Sequence, residues 1–245
     1  MLVLLDNVTK SYAGIPAVKN VNLAIEAGEM VLLYGPSGAG KTTLLKLIGC
    51  LEKPDEGKIY LESQNVSRLR AELLAEVRRR EIGFLTAETE MIPVFTVQEN
   101  VELPLQLLKQ GKGGERRERV KQLLAELDLE KVAGKRIGAL TPLERAKTAL
   151  AAALIKSPSI ILADEPTARL ALASGLELIR TMAEINQKKK TTFLVASDDP
   201  AFSRYLTRTV KIYGGVIEGE PRPAGLTLAR NEEVPIYDLK AEQNA

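Results

Sequence analysis

The stretch "MVLLYGPSGAGKTTLLKLIGCL", residues 30–51, decides the fold. Its first part, MVLLYG (30–35), is a short apolar run ending in glycine, which reads as a buried strand. Its last part, TTLLKLIGCL (42–51), has apolar residues at helical spacing. Between them GPSGAGKT, Gly35 to Thr42, fits G-x-x-x-x-G-K-[ST] placed after a strand and before a helix. In that setting successive backbone N–H groups can turn inward around phosphate oxygens, and the helix N-terminus adds a favourable dipole. The candidate phosphate-binding set is therefore Gly35, Ser37, Gly38, Ala39, Gly40, Lys41, Thr42 and Thr43. Lys41 is expected to reach the outer phosphates and the Thr42 hydroxyl to ligate Mg2+.

Working outward, "SIILAD" (159–164) and "TTFLVAS" (191–197) read as two further buried strands, separated by the helical pattern of Leu172, Leu176, Ile179 and Ala183. Strands alternating with helices predict an α/β fold with a mostly parallel sheet. "IILADE" brings Asp164 to a strand end, where it can hold Mg2+, and Glu165 next to it, where it can polarise a water. Three helices are predicted at 69–80, 115–127 and 143–155, the middle one striped by Val120, Leu123, Leu124 and Leu127. They form a helical insertion punctuated by the loop "KQGKGGERR". The tail from 220 to 245 carries prolines and has no clear periodicity.

Composition limits the alternatives. The 245 residues are 45% hydrophobic and 27% charged with net charge +2, which suits one mid-sized globular unit and gives no basic footprint for nucleic acid. The mixed-sign runs Arg78 to Glu81 and Glu115 to Arg119 read as solvated helix faces. The one cysteine, Cys50, excludes an intramolecular disulfide, and no histidine is present to activate it. No secretory pattern opens the chain and no stretch reaches the roughly 18 apolar residues a membrane span needs. The expectation is a cytosolic protein unless a partner holds it at a membrane.

These residues together resemble the nucleotide-binding subunits of ABC transporters, over residues 2 to about 219. "GPSGAGKTTLL" and "IILADEPT" are similar to that family's Walker A and Walker B motifs, "KSYAG" to its adenine-stacking loop with Tyr12 as the ring, and "KPDEGKIYL" to the strand that follows. "TVQENVELPL" (96–105) is similar to the branch of lipoprotein-releasing, macrolide-export and cell-division ATPases. The resemblance implies a P-loop NTPase with an N-terminal antiparallel β subdomain and an inserted helical subdomain. By it, residues 1–86 and 158–219 form a discontinuous ATP-binding core, 87–157 the helical subdomain and 220–245 a tail. It also implies ATP and Mg2+ as cofactors, Glu165 as the catalytic residue, and a head-to-tail dimer with a second ABC ATP-binding subunit, the same chain or another. A transmembrane permease subunit would hold that dimer at the inner face of the cell membrane.

Four segments depart from the family pattern. Its Leu-Ser-Gly-Gly-Gln signature, which grips the phosphate of the partner's nucleotide, is here Leu140, Thr141, Pro142, Leu143 and Glu144. Pro142 has no N–H, Leu143 fills space, and Glu144 is negative. Locally, T-P-L-E is a good helix start, with Thr141 as N-cap, Pro142 first and Glu144 third, a capping box. The helix is expected to cap itself. The family's magnesium-sensing glutamine falls on Ala87, beside Glu88, and the aspartate of the loop after Walker B falls on Ala171. The switch histidine falls on Ser197. Losing one preorganised charge-stabilising donor typically costs about 2.7–4 kcal/mol, or roughly 100- to 1000-fold in rate. The resulting expectation is a subunit that binds Mg-ATP but hydrolyses it slowly or not at all. An active ATPase with a rewired site and a soluble regulatory ABC protein are the alternatives. A P-loop kinase or GTPase fits less well, because about 120 residues of largely helical insert separate the phosphate loop from "ILADE".

Overall fold

The computed structural model describes residues 1–87 and 91–219. Strands β1 (Val3–Tyr12) and β2 (Ile15–Ile25) form a hairpin, followed by β3 (Met30–Tyr34) and helix α1 (Lys41–Ile48). The chain then returns through β4 (Glu56–Leu61) and β5 (Gln64–Asn65) before helix α2 (Ala71–Glu81) and β6 (Ile82–Thr86). Helices α3 (Val97–Leu107), α4 (Gly113–Glu126) and α5 (Pro142–Leu154) come next. The chain continues through β7 (Ile160–Asp164), α6 (Leu172–Lys189), β8 (Thr192–Ser197), β9 (Arg208–Tyr213) and β10 (Val216–Glu218).

Two sheets result. One is antiparallel, in the order β2-β1-β4-β5, as the resemblance implied for the N-terminal region. The other runs β10-β9-β3-β8-β7-β6 and is parallel except for the β10–β9 pair. Its central strands are buried on both faces, which is why they read as continuous apolar runs. Alternation sorts their side chains between two cores. Ile161, Ala163, Phe193 and Val195 join α3 to α6 on one side. Ile160, Leu162, Leu194 and Ala196 join α1, α2 and the antiparallel sheet on the other.

The three predicted helices are found as α2, α4 and α5, within a few residues of their expected ends, but α2 does not join the insertion: its Leu74 and Val77 pack with α1 and the antiparallel sheet, whereas α4 and α5 share the opposite core. Val120, Leu123, Leu124 and Leu127 are buried as the stripe predicted. Of the α6 pattern, Ile179 and Ala183 are buried, but Leu172 is 68% exposed because it occupies the first turn of the helix. Helix α3 was not among the predicted helices. It starts on a capping box, Thr96 with Glu99, and buries Val97, Val101 and Leu105 at four-residue intervals despite Pro104 in its interior. Just past α5, the Lys156 ammonium donates to the carbonyls of Arg78 (3.0 Å), Arg79 (2.7 Å) and Ile82 (2.7 Å), closing the C-terminus of α2. Burial lowers its pKa to about 8.

No helix among the described residues is long and apolar enough to cross a membrane. Glu88 and the tail 220–245 lie outside the described residues.

Candidate functional site

The phosphate loop leaves the end of β3 and is held by close backbone approach. A Cβ on Gly35 would lie 2.2 Å from the Ile212 carbonyl oxygen, and one on Gly40 would lie 2.4 Å from that of Ala17. Gly40 has φ +102° and is the N-cap of α1. Having no side chain, it leaves the first-turn N–H groups of α1 without a side-chain cap. Ala39 is buried, and Ser37, Gly38 and Thr42 are exposed. A cavity of about 650 Å³ opens here, lined by loop residues Ser37, Gly38, Gly40, Lys41, Thr42 and Thr43 together with Glu165, Ser197 and Asp198. The loop and Glu165, the acid just past the end of β7, thus meet in one cavity, whereas Asp164 is not among the residues that line it.

The Lys41 side chain is 6% exposed, and its ammonium is hydrogen-bonded within the loop. It donates to the carbonyls of Gly35 (2.7 Å) and Pro36 (3.2 Å) and lies 3.1 Å from Glu165 Oε1. Glu165 adopts the left-handed region, φ +45°, and its N–H donates to the Ala196 carbonyl, so the chain turns sharply as it leaves β7. Burial pushes the Glu165 carboxyl above the usual carboxylate range, opposed by Lys41 and reinforced by Asp198 and Asp164.

Asp164 ends β7, and its Oδ1 is buried without a hydrogen-bond partner. An orphaned carboxylate oxygen near a phosphate loop is the donor chemistry that suits a hard cation. Among the described residues no three His, Cys, Asp or Glu side chains are grouped to hold a metal unaided.

Tyr12, at the end of β1, is 43% exposed. Its hydroxyl donates to the Glu52 carboxylate, and the Lys10 ammonium sits 5.8 Å from its ring centroid. Burial and the Glu52 contact raise its phenol pKa. The ring is therefore held at both its tip and one face.

The segments at 87, 140–144, 171 and 197 are equally well defined. At α5, Glu144 N–H donates to Thr141 Oγ1 (3.2 Å) and Thr141 N–H donates to Glu144 Oε2 (2.7 Å), with Pro142 in the first turn. The predicted capping box is present, and it closes the helix end that α1 leaves open. The Thr141 N–H holds the Glu144 carboxyl below the usual carboxylate range. Ser197 is 1% exposed, and its Oγ accepts the Asp199 N–H at 3.1 Å, which ties the hydroxyl oxygen to the local turn and leaves its O–H as a donor. Ala171 is the N-cap of α6 and supplies no side-chain bond. Ala87 lines a second cavity, of about 670 Å³, together with Thr86, Pro142, Arg145 and Arg169.

Asp198, Ala17 and Glu52 lie at the site but outside the set predicted from the motifs. Asp198 directly follows the predicted β8, a signal that was available. Ala17 and Glu52 reach the site through the β1–β2 hairpin and the turn after α1, and pairing of that kind is not local in sequence.

The parallel sheet, the glycine loop opening onto α1 and the acid-bearing end of β7 define an ATP-binding cassette of the P-loop NTPase class. The ABC transporter family pattern matches residues 18–168, and the chain belongs to that family as an ATP-binding subunit. It is 38% identical to the uncharacterized ABC transporter ATP-binding protein MJ0796 of Methanocaldococcus jannaschii, over 91% of this chain and 98% of that protein. It is 33% identical to the lipoprotein-releasing system ATP-binding protein LolD of Bacteroides thetaiotaomicron, over 89% of this chain and 99% of the relative. The solved dimeric, post-hydrolysis state of the MJ0796 cassette, bound to ADP and Pi, superposes with a TM-score of 0.81, covering 91% of this chain and all of that one.

Proposed function

We propose that this subunit binds Mg-ATP in the cavity beneath the 35–43 loop and turns it over slowly, so that binding rather than rapid hydrolysis shifts the conformational equilibrium of a transporter complex. The observation that carries this reading is the contrast between two helix N-termini. That of α1 is uncapped by any side chain, whereas that of α5, where the family receives the partner's phosphate, is closed by Thr141 and Glu144.

In this reading the loop N–H groups and Lys41 take the phosphates, Tyr12 stacks on the base, and Thr42 and Asp164 hold Mg2+. The metal supplies charge neutralisation across the phosphates. Glu165 is the chain's candidate for accepting a proton from the attacking water. Ser197 does not supply what a switch histidine would, because its side chain is neutral and shorter, a single hydroxyl donor in place of an imidazole. Residues 1–86 and 158–219 act as the ATP-binding core and 87–157 as the helical subdomain. The subunit works on the cytoplasmic side with a transmembrane permease and a second ABC ATP-binding subunit. The dimeric MJ0796 cassette supports the pairing of two subunits, and the macrolide export ATP-binding/permease protein MacB of Syntrophobacter fumaroxidans, 32% identical over 91% of this chain, supports the permease.

Hydrolysis at the ordinary rate is the second reading, and the post-hydrolysis state of a 38% identical cassette favours it. The two are separated by steady-state phosphate release from the purified chain, with Glu165→Gln as the blank. The proposal requires wild type to stay within a few-fold of the blank while binding ATP. Robust turnover abolished by Glu165→Gln would replace it with the second reading.

A further inference from the structure

We infer that the β9–β10 hairpin, through Gly215, is a positioning element of the phosphate loop. The inference rests on the reading that this loop holds the phosphates of ATP. Gly215 N–H donates to the Ala39 carbonyl at 3.0 Å, and the Gly215 carbonyl accepts the Lys19 N–H at 2.8 Å. One residue therefore joins the loop to β2 through its own backbone. A Cβ on Gly215 would lie 2.6 Å from the Ala17 oxygen, 3.0 Å from the Ala17 carbonyl carbon and 3.2 Å from Val18 Cα. The same Ala17 oxygen is what a Cβ on Gly40 would meet at 2.4 Å. The Ala17 carbonyl is thus gripped between Gly40 of the loop and Gly215 of the hairpin. The three atoms nearest the added Cβ at Gly215 are all backbone, so none can swing aside as a flexible side chain would.

The contact bears on phosphate recognition because a trans peptide is planar, with its C=O and N–H pointing in opposite directions. Holding the Ala39 carbonyl against Gly215 aims the Gly40 N–H away from the hairpin, and Gly40 lines the cavity. If the hairpin is displaced, that amide loses its aim. Gly215 has φ +80°, and its neighbour Gly214 has φ +53° with nothing within 4 Å of an added Cβ. The pair provides a matched experiment, with backbone strain in both variants and collision in one.

Gly215→Ala and Gly214→Ala are titrated with a fluorescent ATP analogue and Mg2+, well below their melting temperatures, with thermal unfolding recorded in parallel. Gly214→Ala is expected to bind within about twofold of wild type. Gly215→Ala is expected to bind about tenfold more weakly while still unfolding cooperatively. Equal affinity of the two variants overturns the inference. Should Gly215→Ala not fold, Ile217→Ala decides instead, since it loosens the half-buried hairpin packing without adding an atom. Several-fold weaker binding supports the hairpin's role, and wild-type affinity overturns it. A wild type that binds no ATP overturns the reading of the loop itself, whereas ATP-binding wild type with matched variants overturns only the role of Gly215.

Discussion

The Lys41 ammonium and the Glu165 carboxylate lie 3.1 Å apart, so the two groups expected to face the terminal phosphate face each other. Phosphate oxygens compete with that carboxylate for the same ammonium. Glu165→Gln removes the competing charge and is expected to bind ATP a few-fold more tightly than wild type. Lys41→Ala is expected to lose about 100-fold in affinity, since a charge-assisted contact disappears. Titration with a fluorescent ATP analogue checks both. An unchanged affinity for Lys41→Ala would show that the nucleotide does not sit in this loop.

Thr141→Ala opens the α5 capping box. It is expected to lower stability by about 1 kcal/mol, or roughly 2–4 °C in Tm for a chain of this size. Calorimetry checks the value. A Tm equal to wild type would mean that water replaces the cap without loss.

The same box sets a pH dependence. Glu144 has its folded pKa below the ordinary 4.5, chiefly through the Thr141 N–H, and Glu99 is lowered in the same way by Thr96. A carboxylate with a depressed folded pKa contributes stability that is fully present above its unfolded pKa and is lost as pH falls through the folded value. The stability difference between wild type and Glu144→Gln should therefore be flat from pH 8 to about pH 5 and shrink below about pH 4.5. A difference that grows on acidification would reverse the sign and refute the cap.

Ala171 starts α6 without a side-chain bond to the first turn. Ala171→Asp supplies that acceptor and a charge favourable to the helix dipole, and is expected to stabilise the fold by about 1 kcal/mol. Thermal unfolding tests this, and a lower Tm would show that the Asp side chain cannot reach the first turn.

Tyr12→Ala should weaken ATP binding by about tenfold through loss of base stacking, while Tyr12→Phe, which loses only the bond to Glu52, should cost less. Equal losses in the two variants would assign the effect to the hydroxyl instead of the ring.

What was legible in the sequence was what is local. The order of β3, glycine loop and α1 follows from one contiguous motif, and β7 and β8 from apolar runs buried on both faces. The α5 cap was legible because Thr141 and Glu144 are three residues apart. Helix α3 carries the same Thr-x-x-Glu signal at Thr96, but Pro104 interrupts an otherwise helical pattern, and Pro normally reads as a stop. The pairing of Lys41 with Glu165, the orphaned oxygen of Asp164 and the grip on the Ala17 carbonyl were not legible. Each depends on backbone segments that only the sheet brings together.

Lys156 gives α5 a fixed end. Its three hydrogen bonds to carbonyls of α2 and β6 hold the C-terminal end of that helix against the sheet. A helix of 13 residues is about 20 Å long, so a tilt of about 10° about that fulcrum carries its far end through about 3.5 Å. The far end is the capped turn at Thr141. The geometry is that of a lever arm pinned at its base, with the travel concentrated at its tip.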